Sequence, residues 1–130
     1  MEPWGGLGYR APKLGAWLGR MAREQQVWAV RETSRGPVVG LAVVQDGFLL
    51  GAFVALLAVQ PACAGRGLGQ ALMAQVDGDV LGRRKWLYVS CDSGNRGARR
   101  FYRRLGFRQV GVLPDLVRDG RTEILLRKGR

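Results

Sequence analysis

Apolar residues recur along this chain with two different periods, and the switches between them predict its elements. Pro12 followed by Leu14, Trp17, Leu18 and Met21 has the i, i+3, i+4, i+7 spacing of one helical face with proline in the first turn, which predicts a helix over Pro12 to Glu24. Val27 to Arg31 and Val38 to Gln45 are β-branched runs separated by the turn cluster Ser34-Arg35-Gly36-Pro37, and read as two antiparallel strands. Asp46-Gly47 is a two-residue hairpin signal. It leads into Phe48 to Val59, an uncharged stretch that is long for one strand, so a bulge or bend is expected near Gly51 or near Leu57. A strand without charge on either face belongs at the centre of a sheet.

Helical spacing returns with Leu68, Leu72, Met73, Val76 and Val80, in a helix opened by Gly65-Arg66-Gly67-Leu68-Gly69 and closed at Gly82. Trp86 to Cys91 reads as a strand, Asp92-Ser93-Gly94-Asn95 as a loop, and Arg96 to Leu105 as a helix. That helix sets Ala98, Phe101, Tyr102 and Leu105 opposite Arg96, Arg99, Arg100, Arg103 and Arg104. Phe107 to Leu113 and Thr122 to Lys128 read as closing strands joined across Asp119-Gly120. The order helix, three strands, helix, strand, helix, two strands predicts an α/β chain with a mixed sheet and helices packed on it. With 130 residues, 47% of them hydrophobic, and no repeat or linker, one domain over 1–130 is expected.

Composition narrows the chemistry sharply. The chain has no histidine, which removes Ser-His and Cys-His nucleophile pairs, imidazole bases and His metal sites. Its 2 cysteines, Cys63 and Cys91, are far apart and form no Cys-x-x-Cys pair, so no metal site is expected. Proton transfer is left to carboxylate, tyrosine, lysine, cysteine, water or substrate. The balance of 21 Lys and Arg against 10 Asp and Glu gives a net charge of +11 and favours a phosphorylated or acidic ligand. The bland alternative is an arginine-rich solvated surface. Gly47 to Val59 is the only stretch that suggests a membrane helix, and it would span about 20 Å of a hydrocarbon core of about 30 Å. Met1 to Gly6 has neither the basic start nor the apolar stretch of a signal peptide, so a cytoplasmic protein without membrane association is expected.

A strand that runs into Gly-x-Gly-x-Gly and then a helix offers unpaired backbone N–H groups backed by the positive helix end, a cradle for an anion such as a diphosphate. The dinucleotide fingerprint would need glycine at Gln70, and no Gly-Lys-Ser/Thr of a P-loop occurs. Two segments carry a family resemblance. Val59-Gln60-Pro61-Ala62-Cys63-Ala64-Gly65-Arg66-Gly67-Leu68-Gly69-Gln70-Ala71-Leu72 resembles the acyl-CoA-binding segment of the GNAT N-acetyltransferases, and Asn95 to Phe107, with Ala98, Phe101-Tyr102 and Gly106-Phe107, is similar to that family's second signature. The resemblance covers roughly Val27 to the C-terminus and implies a GNAT-like fold shortened before its second strand.

What the resemblance implies is an enzyme that moves an acetyl group from acetyl-CoA to a primary amine by direct attack in a ternary complex. Ala64, Gly65, Arg66, Gly67, Leu68, Gly69 and Gln70 would hold the diphosphate, mainly through backbone amides. Leu57, Ala58 and Val59 would pair with pantetheine, Asn95, Ala98 and Phe101 would line the arm, and Tyr102 would protonate the leaving thiolate as general acid. Two departures stand out: Ala64 replaces the Gln or Arg of the diphosphate pattern, and no carboxylate lies on Phe48 to Val59, where many members keep a glutamate base. Asp46, Asp92 and Glu32 are the substitutes by position, and a base-free route through water is the alternative. The acceptor is a small-molecule or protein amine, and the exposed edges of a small sheet make a homodimer reasonable. Two other readings are a non-catalytic CoA-binding regulatory module and a basic nucleic-acid-binding module. Aromatic residues that lie in apolar stripes, not between the arginines, count against nucleic acid.

Overall fold

The computed structural model describes residues 26–130, so the helix expected over Pro12 to Glu24 lies outside the described residues. Within them, strands β1 (Gln26–Arg31), β2 (Val38–Phe48) and β3 (Gly51–Val59) are followed by helix α1 (Leu68–Leu81). Strand β4 (Trp86–Asp92), helix α2 (Arg96–Arg104) and strands β5 (Arg108–Pro114) and β6 (Thr122–Gly129) complete the order. The six strands form one mixed sheet in the order β1-β2-β3-β4-β6-β5, with β3 and β4 at its centre. All neighbours are antiparallel except β3 and β4. The expected mixed α/β sheet is the one found, and no described helix is long and apolar enough to cross a membrane.

Both helices pack on one face. Leu72, Met73, Val76 and Val80 of α1 and Ala98 and Tyr102 of α2 join Ala42, Val44, Ala52, Val54, Leu87, Val89 and Ile124 in one core. Each fully buried aliphatic side chain contributes roughly 1.5–3 kcal/mol. Val39, Val43, Leu56 and Ala58, from the alternate positions of β2 and β3, are buried on the opposite face.

The turn of the central hairpin departs from the expectation. The reversal lies not at Asp46-Gly47 but at Leu49 and Leu50, whose φ of 45° and 64° are left-handed. Phe48 therefore ends β2 instead of starting β3. Its ring packs on Phe53 and Tyr88 at centroid distances of 5.2 and 5.0 Å, and the Tyr88 hydroxyl donates to the Leu49 carbonyl at 3.1 Å. Asp46 is meanwhile pinned to the far end of α1 by Arg83 at 2.8 Å and Arg84 at 3.0 Å. These contacts carry the strand past the Asp-Gly signal, and Gly47 becomes an extra residue between the pairs Asp46–Ala52 and Phe48–Gly51.

The second irregularity of β3 falls between the two expected positions. Val43 pairs with Leu56 and Val44 with Val54, which leaves Ala55 as a bulge. A bulge shifts the alternation by one residue and increases local twist. The shift is visible in the packing, where Val54 and Leu57 both reach the helix-covered core.

That twist matters at the centre of the sheet. β3 and β4 pair only through Gly51–Trp86, Ala52–Leu87 and Phe53–Tyr88, and beyond them the ladder stops although both strands continue, to Val59 and Asp92. The two halves of the sheet part into a wedge that opens toward Val59 on one side and Cys91–Asp92 on the other. Gly51 permits the closed end, because a Cβ there would collide with the Trp86 carbonyl.

Candidate active site

Three elements converge on the mouth of the wedge. On the β3 side, Leu57 and Ala58 are buried and Val59 is half-buried, with the β4-facing backbone edge of these residues outside the ladder. An unpaired strand edge of this kind accepts an extended partner through main-chain hydrogen bonds. A cavity of about 300 Å³ lies beside the strand end, between Val38–Leu41 and Ala58–Pro61, with no charged side chain among the described residues that line it.

After β3, Pro61–Cys63 forms a single 3-10 turn and the chain enters α1 through Ala64 to Gly67, all exposed. Gly65 and Gly67 have φ of 80° and 75°, a region closed to most side chains, and no atom lies within 4 Å of where a Cβ would stand on either. Ala64 N bonds to the Pro61 carbonyl at 3.2 Å, and the next backbone bond is from Ala71 N to the Gly67 carbonyl at 3.0 Å. Between them, no amide from Gly65 to Gln70 bonds to a described residue, and α1 has no side-chain cap. The open loop with unspent donors at a helix N-terminus fits a diphosphate in shape and sign.

Arg66, within this loop, forms an ion pair with Glu32, one residue past β1. Cys63, buried beneath, donates its thiol to the other Glu32 oxygen at 3.4 Å. The Arg66 and Cys63 hydrogen bonds hold the Glu32 carboxyl below the usual carboxylate range. The loop therefore carries a guanidinium already tied to an acid, a contact across the chain that no local spacing announces.

On the β4 side, Asn95 caps α2 by accepting a hydrogen bond from Ala98 N at 3.0 Å. Ala98 is buried and Phe101 half-buried against the core. Asp92 braces the same loop, bonding Gly94 N at 2.7 Å and Arg121 at 2.6 and 3.0 Å. Arg99 leaves the arginine face to donate to the Ser93 carbonyl at 2.9 Å, while Arg96, Arg100, Arg103 and Arg104 remain exposed.

Tyr102 is 6% exposed, edge-on to Phe101 and Phe107 at 5.4 and 5.7 Å. Burial pushes its phenol well above the usual tyrosine range, and the charges of Cys91 and Glu123 add to the effect. Burial also pushes the Cys91 thiol up to about 11, so this cysteine is a neutral thiol near pH 7 and a poor nucleophile.

The carboxylates expected as substitute bases are all committed elsewhere. Asp46 lies at the closed end of the wedge with Arg83 and Arg84, Asp92 is held by Arg121, and Glu32 by Arg66. Arginine hydrogen bonds lower all of them from the ordinary carboxylate range. A fourth carboxylate, Glu123, lies near the same loop. It sits on β6 opposite Asp92, and the Ser90 hydroxyl donates to its carboxylate at 3.4 Å. In sequence Glu123 is one polar residue in an alternating strand, and only the β4–β6 register ties it to Tyr102.

Comparison with known proteins gives the family of this fold. The family described as the acetyltransferase (GNAT) domain matches residues 23–109. An uncharacterised N-acetyltransferase of Methanocaldococcus jannaschii is 32% identical over 90 residues, covering 63% of this chain, and the match spans 58% of the length of that relative. Among solved structures, a protein assigned to the GNAT acetyltransferases from Desulfovibrio desulfuricans superposes with a TM-score of 0.73 at 26% identity, over 88% of this chain and 74% of its own. A GNAT family acetyltransferase of Elizabethkingia anophelis with acetyl-CoA bound has the same fold, with a TM-score of 0.75 at 14% identity over 88% and 82% of the two chains. By the family match over most of its length, with a wedge-split sheet and a glycine cradle at its mouth, the chain belongs to the GNAT acetyltransferases.

Proposed function

We propose that this protein transfers the acetyl group of acetyl-CoA to a primary amine by direct attack within a ternary complex. The observation that carries the reading is the wedge with its two fittings, an anion cradle at the end of β3 and a buried phenol on α2, packed against the facing half-sheet. Acetyl-CoA supplies the activated thioester. The amides of Gly65 to Gln70 hold the diphosphate, and the free edge of Leu57 to Val59 pairs with the amide-rich arm, as a strand would. Asn95, Ala98 and Phe101 bound the arm from the other side. The arm then runs into the wedge, and its far end lies between β3 and β4 near Tyr102.

The amine nitrogen forms a bond to the carbonyl carbon as the carbon–sulfur bond breaks. Tyr102 gives its proton to the departing sulfur, and the phenolate recovers a proton from the new amide nitrogen or from solvent. A phenol held proton-loaded by burial suits that step. No histidine or metal cluster among the described residues offers another acid. The scheme needs no covalent enzyme intermediate, consistent with a neutral Cys91 thiol.

Titration of the purified protein with acetyl-CoA, followed by release of free CoA thiol against a panel of primary amines and short peptides with free amino termini, tests the reading. Saturable binding and amine-dependent thiol release are expected. Absence of binding by folded protein would sink it.

Arg66 adds a second expected result. Its ion pair with Glu32 places a carboxylate beside the cradle, where a diphosphate must compete for the guanidinium. Glu32→Gln removes that competition, and acetyl-CoA affinity is expected to rise several-fold at low salt, with the gain shrinking as ionic strength increases. Unchanged affinity at all salt concentrations would show that Arg66 faces no competition.

A further inference from the structure

The end of the sheet away from the wedge mouth holds a second cavity, of about 820 Å³, where β4 begins, β6 ends and β5 begins. Lys85, Trp86, Arg108, Arg127, Lys128 and Arg130 are in its lining, and no acidic side chain among the described residues joins them. We propose that this cavity is a docking site for single-stranded nucleic acid, with backbone phosphates on Lys85 and Arg108 and a base stacked on the Arg127–Trp86 pair.

Strand register places the charges. Arg108 of β5 pairs with Arg127 of β6, which pairs in turn with Tyr88 of β4. Leu87 and Leu126, the neighbours of Tyr88 and Arg127, belong to the helix-covered core, so both arginine side chains stand on the opposite face. Directly opposed residues of antiparallel strands have Cβ atoms about 4.5–5.5 Å apart, and like charges there repel. Elsewhere the chain answers its cations with acids: Arg66 has Glu32, Arg83 and Arg84 have Asp46, Arg121 has Asp92, and Lys128 at the edge of this cavity has Asp77. Lys85, Arg108 and Arg127 form no ion pair with a described residue. Their mutual repulsion is a cost that a bound anion relieves.

Trp86 sets the kind of anion. The Arg127 guanidinium lies 3.8 Å over its ring and the Lys85 ammonium 5.6 Å from the ring centroid. Gly129, the register partner of Trp86, makes room for the indole, because a Cβ there would come within 2.7 Å of the ring. Bases stack on aromatic rings and on arginine planes while phosphates seek the cations around them. Along the chain the aromatics keep to apolar stripes, and only the pairing of β4 with β6 sets Trp86 among cations. An acidic peptide would satisfy the charges and leave the ring unused, whereas a nucleic acid strand uses both. Lys85, Arg108 and Gln109 are exposed, so the cavity is open at its edge and lets a chain pass through. The net charge of +11 adds a long-range attraction for a polyanion.

The site is separate from the acetyl-transfer chemistry. Trp86 pairs with Gly51 at the closed end of the wedge, so a strand bound there leaves the glycine cradle and the wedge mouth free.

Fluorescence anisotropy of a labelled single-stranded oligouridylate, titrated with the protein over a range of salt concentrations, tests the proposal. Wild type is expected to bind at low salt and to weaken steeply as salt rises. Lys85→Ala/Arg108→Ala should weaken binding by about tenfold or more at low salt and reduce the slope of log affinity against log salt by about 1.4. Arg100→Ala/Arg103→Ala removes the same charge from the exposed face of α2 and should do much less. Arg127→Lys keeps the charge and loses the plane, so affinity should fall several-fold with the salt slope unchanged. Circular dichroism checks the fold of each variant, and if Arg127→Lys does not fold the two double variants decide.

No binding by wild type overturns the proposal. Equal losses in the two double variants also overturn it, because charge spread over the surface then accounts for all the binding. A poly-glutamate peptide that binds as tightly as the oligonucleotide, or a folded Arg127→Lys with wild-type affinity, overturns nucleic acid as the occupant. Acetyl-CoA titration of the same proteins is expected to match wild type throughout. Wild type that binds the oligonucleotide and not acetyl-CoA sinks the acetyltransferase reading alone.

Discussion

Gly67→Asp is expected to weaken acetyl-CoA binding by ~100-fold or more, the largest effect of any single change in the cofactor cradle. Gly67 is the N-cap residue of α1, left-handed at φ 75°. Asp and Asn tolerate that backbone better than other side chains, and no neighbouring atom opposes a Cβ. The protein should therefore fold. The added carboxylate would stand where the proposed function puts the diphosphate, replacing a neutral donor edge with a like charge, a change of ~3 kcal/mol for close groups partly screened from water. Gly67→Asn is the control, because it has the same shape and no charge. Calorimetric titration of the two variants separates the contributions: loss in Asp with near-normal binding in Asn is the electrostatic result, and equal loss in both would mean that shape alone governs the cradle.

Tyr102→Phe is expected to lower kcat by ~10²- to 10⁴-fold with little change in acetyl-CoA affinity. The ring packs edge-on between Phe101 and Phe107, contacts that phenylalanine preserves. No hydrogen bond contributes to the raised titration of its hydroxyl, so stability should change by no more than about 1 kcal/mol. The sign of the shift makes a further statement about pH. Burial favours the neutral phenol, so the acid stays loaded beyond its ordinary pKa of about 10. Wild-type kcat should then show no alkaline fall from loss of this proton anywhere below pH 10. Retention of full kcat in Tyr102→Phe would move the acid role to solvent.

Most of the fold was legible because its periods are clean. The strand over Trp86 to Cys91 and the helices opening at Leu68 and at Arg96 fall within a residue of where the spacing puts them, since the helices each bury one face, the strand is a run of apolar residues, and their ends are marked by a glycine, an asparagine or a charged turn. The misplaced turn has a distant cause. Asp46-Gly47 is a good local turn signal overruled by distant contacts: two arginines of the α1 end hold Asp46 and two aromatic rings hold Phe48. The candidate site divides in the same way. The glycine cradle and the Asn95–Tyr102 helix are contiguous in sequence and could be read directly. Glu32 meeting Arg66, 34 residues away, is a contact between two loops, and Glu123 meeting Ser90, 33 residues away, depends on the β4–β6 register, so no local spacing announces either.

The short parallel ladder has a consequence for how the molecule assembles. Its three rungs are the only strand pairing between a half built from β1, β2 and β3 and a half built from β4, β6 and β5. Each half contains a hairpin that closes by contacts near in the chain, whereas the seam joins residues 35 apart and waits on the α1 crossover. Folding order and catalytic architecture thus meet along one line. The junction with the least backbone bonding to give up is the one the proposed function has substrate enter, so the chain would gain an open cleft without having to break a finished sheet to make it.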